Sequence, residues 1–187
     1  MMNKTDQDLV NKFKKAEELF AKKKIDESIL TYKEILNSNP SFVPALNNIA
    51  LCYEHLDRLE DAEIYYSKCI SLKPNEIIFV NNLSNIYLQQ KKFDKALPLL
   101  KKSLQINENQ IKIIQFTAMC LIDLNERKEA EKFCNEKLKT FPNDRLLIKV
   151  HARNLINLNK HKEGLNIMKK GSGFIEFEDN KTDIVNT

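Results

Sequence analysis

The apolar positions of this chain recur at helical spacing, and the blocks they form recur in turn. One set stands at Leu46, Ile49, Ala50 and Tyr53, and the next at Ala62, Tyr66, Cys69 and Ile70. Steps of three and four residues put each set on one face of a helix. A short polar stretch separates the two sets, so the pattern predicts two antiparallel helices packed face to face. Sliding the chain against itself by 34 residues reproduces the pair along its length. Small residues align at Ala16, Ala50, Ser84, Ala118 and Ala152, and again at Ser28, Ala62, Ala96, Ala130 and Gly164. Large apolar residues align at Leu19, Tyr53, Tyr87, Leu121 and Leu155. The two small columns predict close approach of a first helix (A) and a second (B) in every unit.

The stops agree with the period. Pro40, Pro74 and Pro142 share a column just after helix B, where proline ends a helix. Glu108 fills the vacant place in that column. The units therefore run 9–42, 43–76, 77–110, 111–144 and 145–171. The turn from A to B carries Lys23, Asp57, Lys91, Asn125 and Asn159. Asn and Asp adopt the left-handed conformation most readily after Gly, so this column predicts a left-handed turn residue. Pro44 and Pro98 are predicted in the first turns of their helices, where a missing N–H costs little.

These columns resemble the tetratricopeptide repeat, a helix–turn–helix unit of the same period. The unit from Ala45 to Pro74 carries the pattern most fully. The resemblance covers residues 9–171 and implies an all-α fold, a right-handed α-solenoid whose concave wall comes from the A helices. The predicted organisation is a solenoid over 1–173 with no sheet in 5–170, followed by an acidic tail or cap over 174–187. The first unit departs from the pattern at Lys15 and Glu18, as expected of a terminal repeat that faces water. The tail (Phe174 to Asp183) has a net charge of −3 and no repeat. It caps the fifth unit with Phe174, Ile175 and Phe177, begins a further domain, or lies in the groove as a mimic of the ligand.

Composition narrows the function. Three Gly and five Pro in 187 residues exclude a turn-rich β-sandwich and every Gly-rich phosphate loop. The net charge is only +4, and just four of the 30 basic residues are Arg, the better phosphate and base reader. Nucleic acid is therefore not an expected partner. No apolar run is long enough for a signal peptide or a membrane span, so the expected location is cytoplasmic and no membrane contact is expected. Cys52, Cys69, Cys120 and Cys134 form no C-x-x-C pair and fall in packing columns, which predicts reduced, buried thiols. His151 falls in a core column, His55 on the inner face and His161 in the last A-to-B turn. No metal, cofactor or catalytic set emerges, and the chain is not expected to be an enzyme.

The inner wall holds the candidate site. Helical geometry together with the family's packing exposes Asn47, Asn48, Leu51, Glu54 and His55 from the second unit. It exposes Ile78, Asn81, Asn82, Asn85, Leu88 and Gln89 from the third, and Lys112, Gln115, Phe116, Met119, Ile122 and Asp123 from the fourth. Lys149, Val150, Arg153, Ile156 and Asn157 follow from the fifth. The Lys/Asn/Arg clamp by which some relatives hold two carboxylates is absent: in the register that starts at the first unit, only Asn48 matches it. Asn48 and Asn82, at the same place in adjacent units, are similar to the asparagine ladder of O-linked glycosyltransferase arms and their bacterial relatives. That resemblance implies that an extended peptide is held by its backbone, because a primary amide both donates and accepts. Lys112, Lys149 and Arg153 would steer an acidic stretch. The expected function is a protein-binding scaffold with a protein or peptide ligand. The alternative is the substrate-recognition arm of a larger or trans-acting glycosyltransferase, sulfotransferase or hydroxylase.

Overall fold

The computed structural model describes residues 4–172, with side chains from Gln7 to Lys169. The tail, 174–187, lies outside the described residues. Among those described there is no strand. The chain forms ten helices: α1 (Lys4–Ala21), α2 (Ile25–Ser38), α3 (Val43–His55), α4 (Leu59–Leu72), α5 (Ile77–Gln89), α6 (Phe93–Ile106), α7 (Ile111–Asp123), α8 (Arg127–Thr140), α9 (Arg145–Asn157) and α10 (His161–Ser172). The starts of α3, α5, α7 and α9 recur every 34 residues, and so do those of α2, α4, α6, α8 and α10. The all-α fold of helix–turn–helix repeats is therefore present as the columns require. Residues up to Leu99 form one compact unit, and those from Leu100 a second.

The turns explain how the repeat closes without glycine. Lys23, Asp57, Lys91, Asn125 and Asn159 all have positive φ, between 55° and 63°. Each is the C′ residue of a Schellman motif. In the first turn, Lys24 N–H donates to the Leu19 carbonyl at 2.9 Å and Lys23 N–H to the Phe20 carbonyl at 2.9 Å. The same pair of bonds recurs in the other four turns, always onto the carbonyl of the large apolar column. The helix that follows each of these turns begins without a side-chain cap in α2, α4 and α8. Acidic residues in the first turn (Asp26 and Glu27, Glu60 and Asp61, Glu129) compensate at the positive end of the dipole. Asp144 is different: its carboxylate accepts from Leu147 N–H at 2.7 Å and caps α9.

The small columns are where helices touch. Ala16, Ala50, Ala62, Ala96, Ala118, Ala130 and Ala152 are fully buried. Ser28 Oγ donates to the Ala16 carbonyl at 2.8 Å, so the B helix rests on the A-helix backbone. Gly164 repeats this contact in the second unit: a Cβ there would stand 2.9 Å from the Ala152 carbonyl and 2.8 Å from Ile156 Cγ1. In the first unit the core gathers Ile29, Tyr32, Ile35, Ile49, Tyr53, Tyr66 and Ile86. In the second, Ile114, Ala118, Cys134 and Leu147 pack with Leu104, Phe133, Leu138 and Phe141.

Two local expectations change. Pro98 is the sixth residue of α6, not a first-turn residue, because the helix starts at Phe93, directly after the turn. It therefore removes an N–H that would otherwise bond the Asp94 carbonyl. His161 is the first residue of α10 and not part of the turn, for the same reason. Where proline is missing at Glu108, side chains finish α6 instead. Gln110 Nε2 donates to Ser103 Oγ at 2.8 Å and to the Asn107 carbonyl at 2.9 Å.

Candidate functional site

In the first compact unit the A helices α3 and α5 carry the candidate amides, and three of these, Asn47, Asn48 and Asn82, are already bonded to one another. Asn82 Nδ2 donates to Asn47 Oδ1 at 3.4 Å. Asn47 Nδ2 donates to Asn48 Oδ1 at 3.2 Å, and Asn48 Nδ2 to the Tyr32 hydroxyl at 2.9 Å. Asn81 is half-buried, and its carbonyl accepts from Ser84 Oγ. The two rungs expected from the sequence are thus not independent: Asn47 links them. Each primary amide has two N–H donors and two acceptor lone pairs, so half-exposed members keep capacity for a ligand.

A second polar focus lies on the same helices. Glu54 accepts from Asn85 Nδ2 at 3.1 Å and from Gln89 Nε2 at 3.0 Å through Oε1, and from the Tyr66 hydroxyl at 3.2 Å through Oε2. Burial pushes the Tyr66 phenol well up, so it stays protonated and remains the donor. Asn85 and Gln89 are therefore turned toward a carboxylate of the neighbouring helix. Sequence reasoning placed Glu54 on the wall without finding these partners. The available signal was its position among amides that recur one unit later.

Beside this focus is a cavity of about 210 Å³, lined by Glu17, Phe20, Tyr32, Asn48 and Leu51. Tyr32 comes from α2 and reaches the wall through its hydroxyl. Burial pushes that hydroxyl up to about 12, so it keeps its proton at neutral pH. Leu51 is 38% exposed, and the exposed His55 lies tilted against Phe20 with ring centroids 5.5 Å apart. The sequence had not marked Tyr32 as a wall residue, because its column reads as core.

In the second compact unit the wall belongs to α7 and α9. Gln115 Nε2 donates to both oxygens of Asp144 at 2.9 Å, fixing this amide to the cap of α9. Phe116 is half-buried and Met119 is 40% exposed, with Leu146 at 43%. Lys112, Lys149 and Arg153 are exposed, and none forms an ion pair among the described residues. Lys149 and Arg153 are four apart, hence on one face of α9.

The reactive side chains are elsewhere and enclosed. All four cysteines are buried, and burial pushes Cys69 up to about 11 and Cys120 and Cys134 up to about 12. His151 is buried, with Nε2 3.0 Å from Asn135 Oδ1, and burial pushes its imidazole below the ordinary value. Among the described residues no group of three or more His, Cys, Asp or Glu is placed to hold a metal ion. No described helix is long and apolar enough to cross a membrane.

Helical hairpins that recur on a fixed period define an α-helical repeat protein. Two family models described as tetratricopeptide repeat match it, over residues 41–109 and 87–154. Tetratricopeptide repeats are thus matched over residues 41–154 of the chain. Solved structures share the fold. MamA from MSR-1 superposes with a TM-score of 0.75 at 19% identity, over 88% of this chain and 95% of that one. MamA from AMB-1 gives 0.78 at 18%, over 90% and 92%. YrrB, described as a TPR protein with an unusual peptide-binding site, gives 0.76 at 16%, over 85% and 82%. No curated protein sequence matches the chain significantly.

Proposed function

We propose that this chain is a non-catalytic scaffold that binds an extended segment of another protein along its A-helix walls. The observation that carries the reading is the row of half-exposed amides running from Asn48 through Asn47 to Asn82. An extended segment arrives with unpaired N–H and C=O groups, and primary amides meet both kinds without regard to its side chains. YrrB, described as binding peptide, offers a precedent on the same fold. In the second unit the unpaired Lys112, Lys149 and Arg153, set beside Met119 and Leu146, suit a stretch with acidic and apolar side chains. The reading of a substrate-recognition arm, for an enzyme acting in the same chain or in trans, rests on the same Asn48 and Asn82.

The test captures partners on the immobilised full chain and measures the affinity of an identified segment for wild type and for Asn48→Ala/Asn82→Ala. Loss of two amide contacts should weaken binding by about 1–3 kcal/mol across segments of different sequence, with the fold retained. Unchanged affinity together with a lower melting temperature would make the amides purely structural and overturn the proposal. If the captured proteins are enzymes whose substrates compete for the same wall, the recognition-arm reading replaces the simple scaffold.

A further inference from the structure

The cavity lined by α1, α2 and α3 has features that the amide row does not explain. Its 210 Å³ falls below the ~300–1,000 Å³ typical of cofactor and small-molecule sites, so it is sized for one side chain. Phe20 and Leu51 give it apolar walls, and Tyr32 and Asn48 complete the lining. Glu17 also lines it and forms no ion pair among the described residues, although Lys14 stands one turn away on the same helix. Glu54, one turn beyond Leu51 on α3, is a second carboxylate with no cation partner; its three bonds come from neutral donors. A segment lying over this wall takes Glu17 out of water. An apolar or acidic side chain would leave that charge uncompensated, and a cation would not.

We propose that this pocket receives one basic side chain of the bound segment, its aliphatic stem against Phe20 and Leu51 and its charge at Glu17. The Tyr32 hydroxyl accepts from Asn48, which fixes the floor of the pocket before the ligand arrives. Lysine and arginine both bury their stems on apolar surface while keeping the charged head at a rim, as this geometry requires. The assignment rests on the reading of the A-helix wall as a peptide-binding surface. It adds selectivity to a wall that otherwise grips any backbone.

The experiment titrates the isotopically labelled full chain with three blocked alanine peptides that carry a central lysine, norleucine or glutamate, followed by amide chemical shifts. The lysine peptide should shift Phe20, Asn48 and Leu51. It should bind roughly three- to ten-fold tighter than the norleucine peptide, the range of a partly desolvated ion pair, and tighter still than the glutamate peptide. Glu17→Gln, at an exposed helical position, should erase the preference for lysine over norleucine, weakening the lysine peptide and tightening the norleucine peptide, because no carboxylate is then left uncompensated under the apolar side chain. Equal binding of lysine and norleucine, a preference that survives Glu17→Gln, or shifts confined to other surfaces would each overturn the assignment. Equal shifts at Asn48 and Asn82 with all three peptides would overturn the pocket alone and leave the wall reading intact. Absence of any shift on the wall with every peptide would overturn both.

Discussion

Lysine in a left-handed turn is a removable burden on this fold. Lys23 and Lys91 have φ of 60° and 57°, where the β-carbon of an L-residue crowds the backbone at a cost of about 1–2 kcal/mol. Neither side chain makes an ion pair or side-chain hydrogen bond among the described residues that would offset this. The Schellman bonds of both turns come from main-chain N–H groups, so glycine keeps them. Glycine also loses more chain freedom on folding, which takes back roughly 0.5–1 kcal/mol. The net expectation is a gain of about 0.5–1 kcal/mol for each site and about 1–2 kcal/mol for Lys23→Gly/Lys91→Gly. For a chain of this size the double variant should melt roughly 2–8 °C higher. Helical circular dichroism during urea and thermal unfolding reads both changes. Asn125→Gly and Asn159→Gly should gain less, since Asn already tolerates the conformation. A double variant that melts at or below wild type would refute the reasoning. So would a Lys91→Ala variant that gains as much as Lys91→Gly, because alanine retains the β-carbon.

Four further outcomes follow from the packing. Ala62→Asp or Ala96→Asp puts a carboxylate at a fully buried helix contact and should cost several kcal/mol, and Gly164→Ala about 1–3 kcal/mol through its clash with Ile156 and the Ala152 carbonyl; denaturation midpoints check both. Pro98→Ala restores a donor to the Asp94 carbonyl inside α6 and should raise stability by about 1–3 kcal/mol, read from the same transition. His151 is held neutral by burial, with smaller opposing influences from Glu131 and Glu163, so its folded pKa lies below the unfolded ~6.5. The unfolded chain then binds the proton first, and this contribution is intact above about pH 6.5 and lost as pH falls below it. The urea midpoint of wild type relative to that of His151→Leu should be lower at pH 5.5 than at pH 7.5, and a constant difference would refute the assignment.

What could be read from the sequence was whatever recurs. The columns at Ala50, Tyr53, Asp57 and Ala62 each reflect one steric demand repeated in every hairpin, so period alone revealed the helices, their contacts and the left-handed turns. The wall was legible only as a set of exposed positions. What those side chains bond depends on partners 31 and 35 residues away, as in Asn85 and Gln89 on Glu54, and on rotamers that no column encodes. Tyr32 was hidden for the opposite reason: its ring obeys the core column, and only its hydroxyl reaches the wall. Pro98 was misplaced because proline is informative about a helix start only when the start itself is known.

The enclosed thiols have a practical consequence. Each compact unit holds two cysteines, Cys52 and Cys69 in one and Cys120 and Cys134 in the other, all buried in helices. Burial lowers their thiolate fraction, and the surrounding side chains exclude reagent, so alkylation waits for a helix to lift. The rate at which each cysteine is trapped then measures the opening of its own hairpin under native conditions. The protein thus contains four resident clocks for local breathing, and a ligand that grips one unit would slow that unit's pair alone.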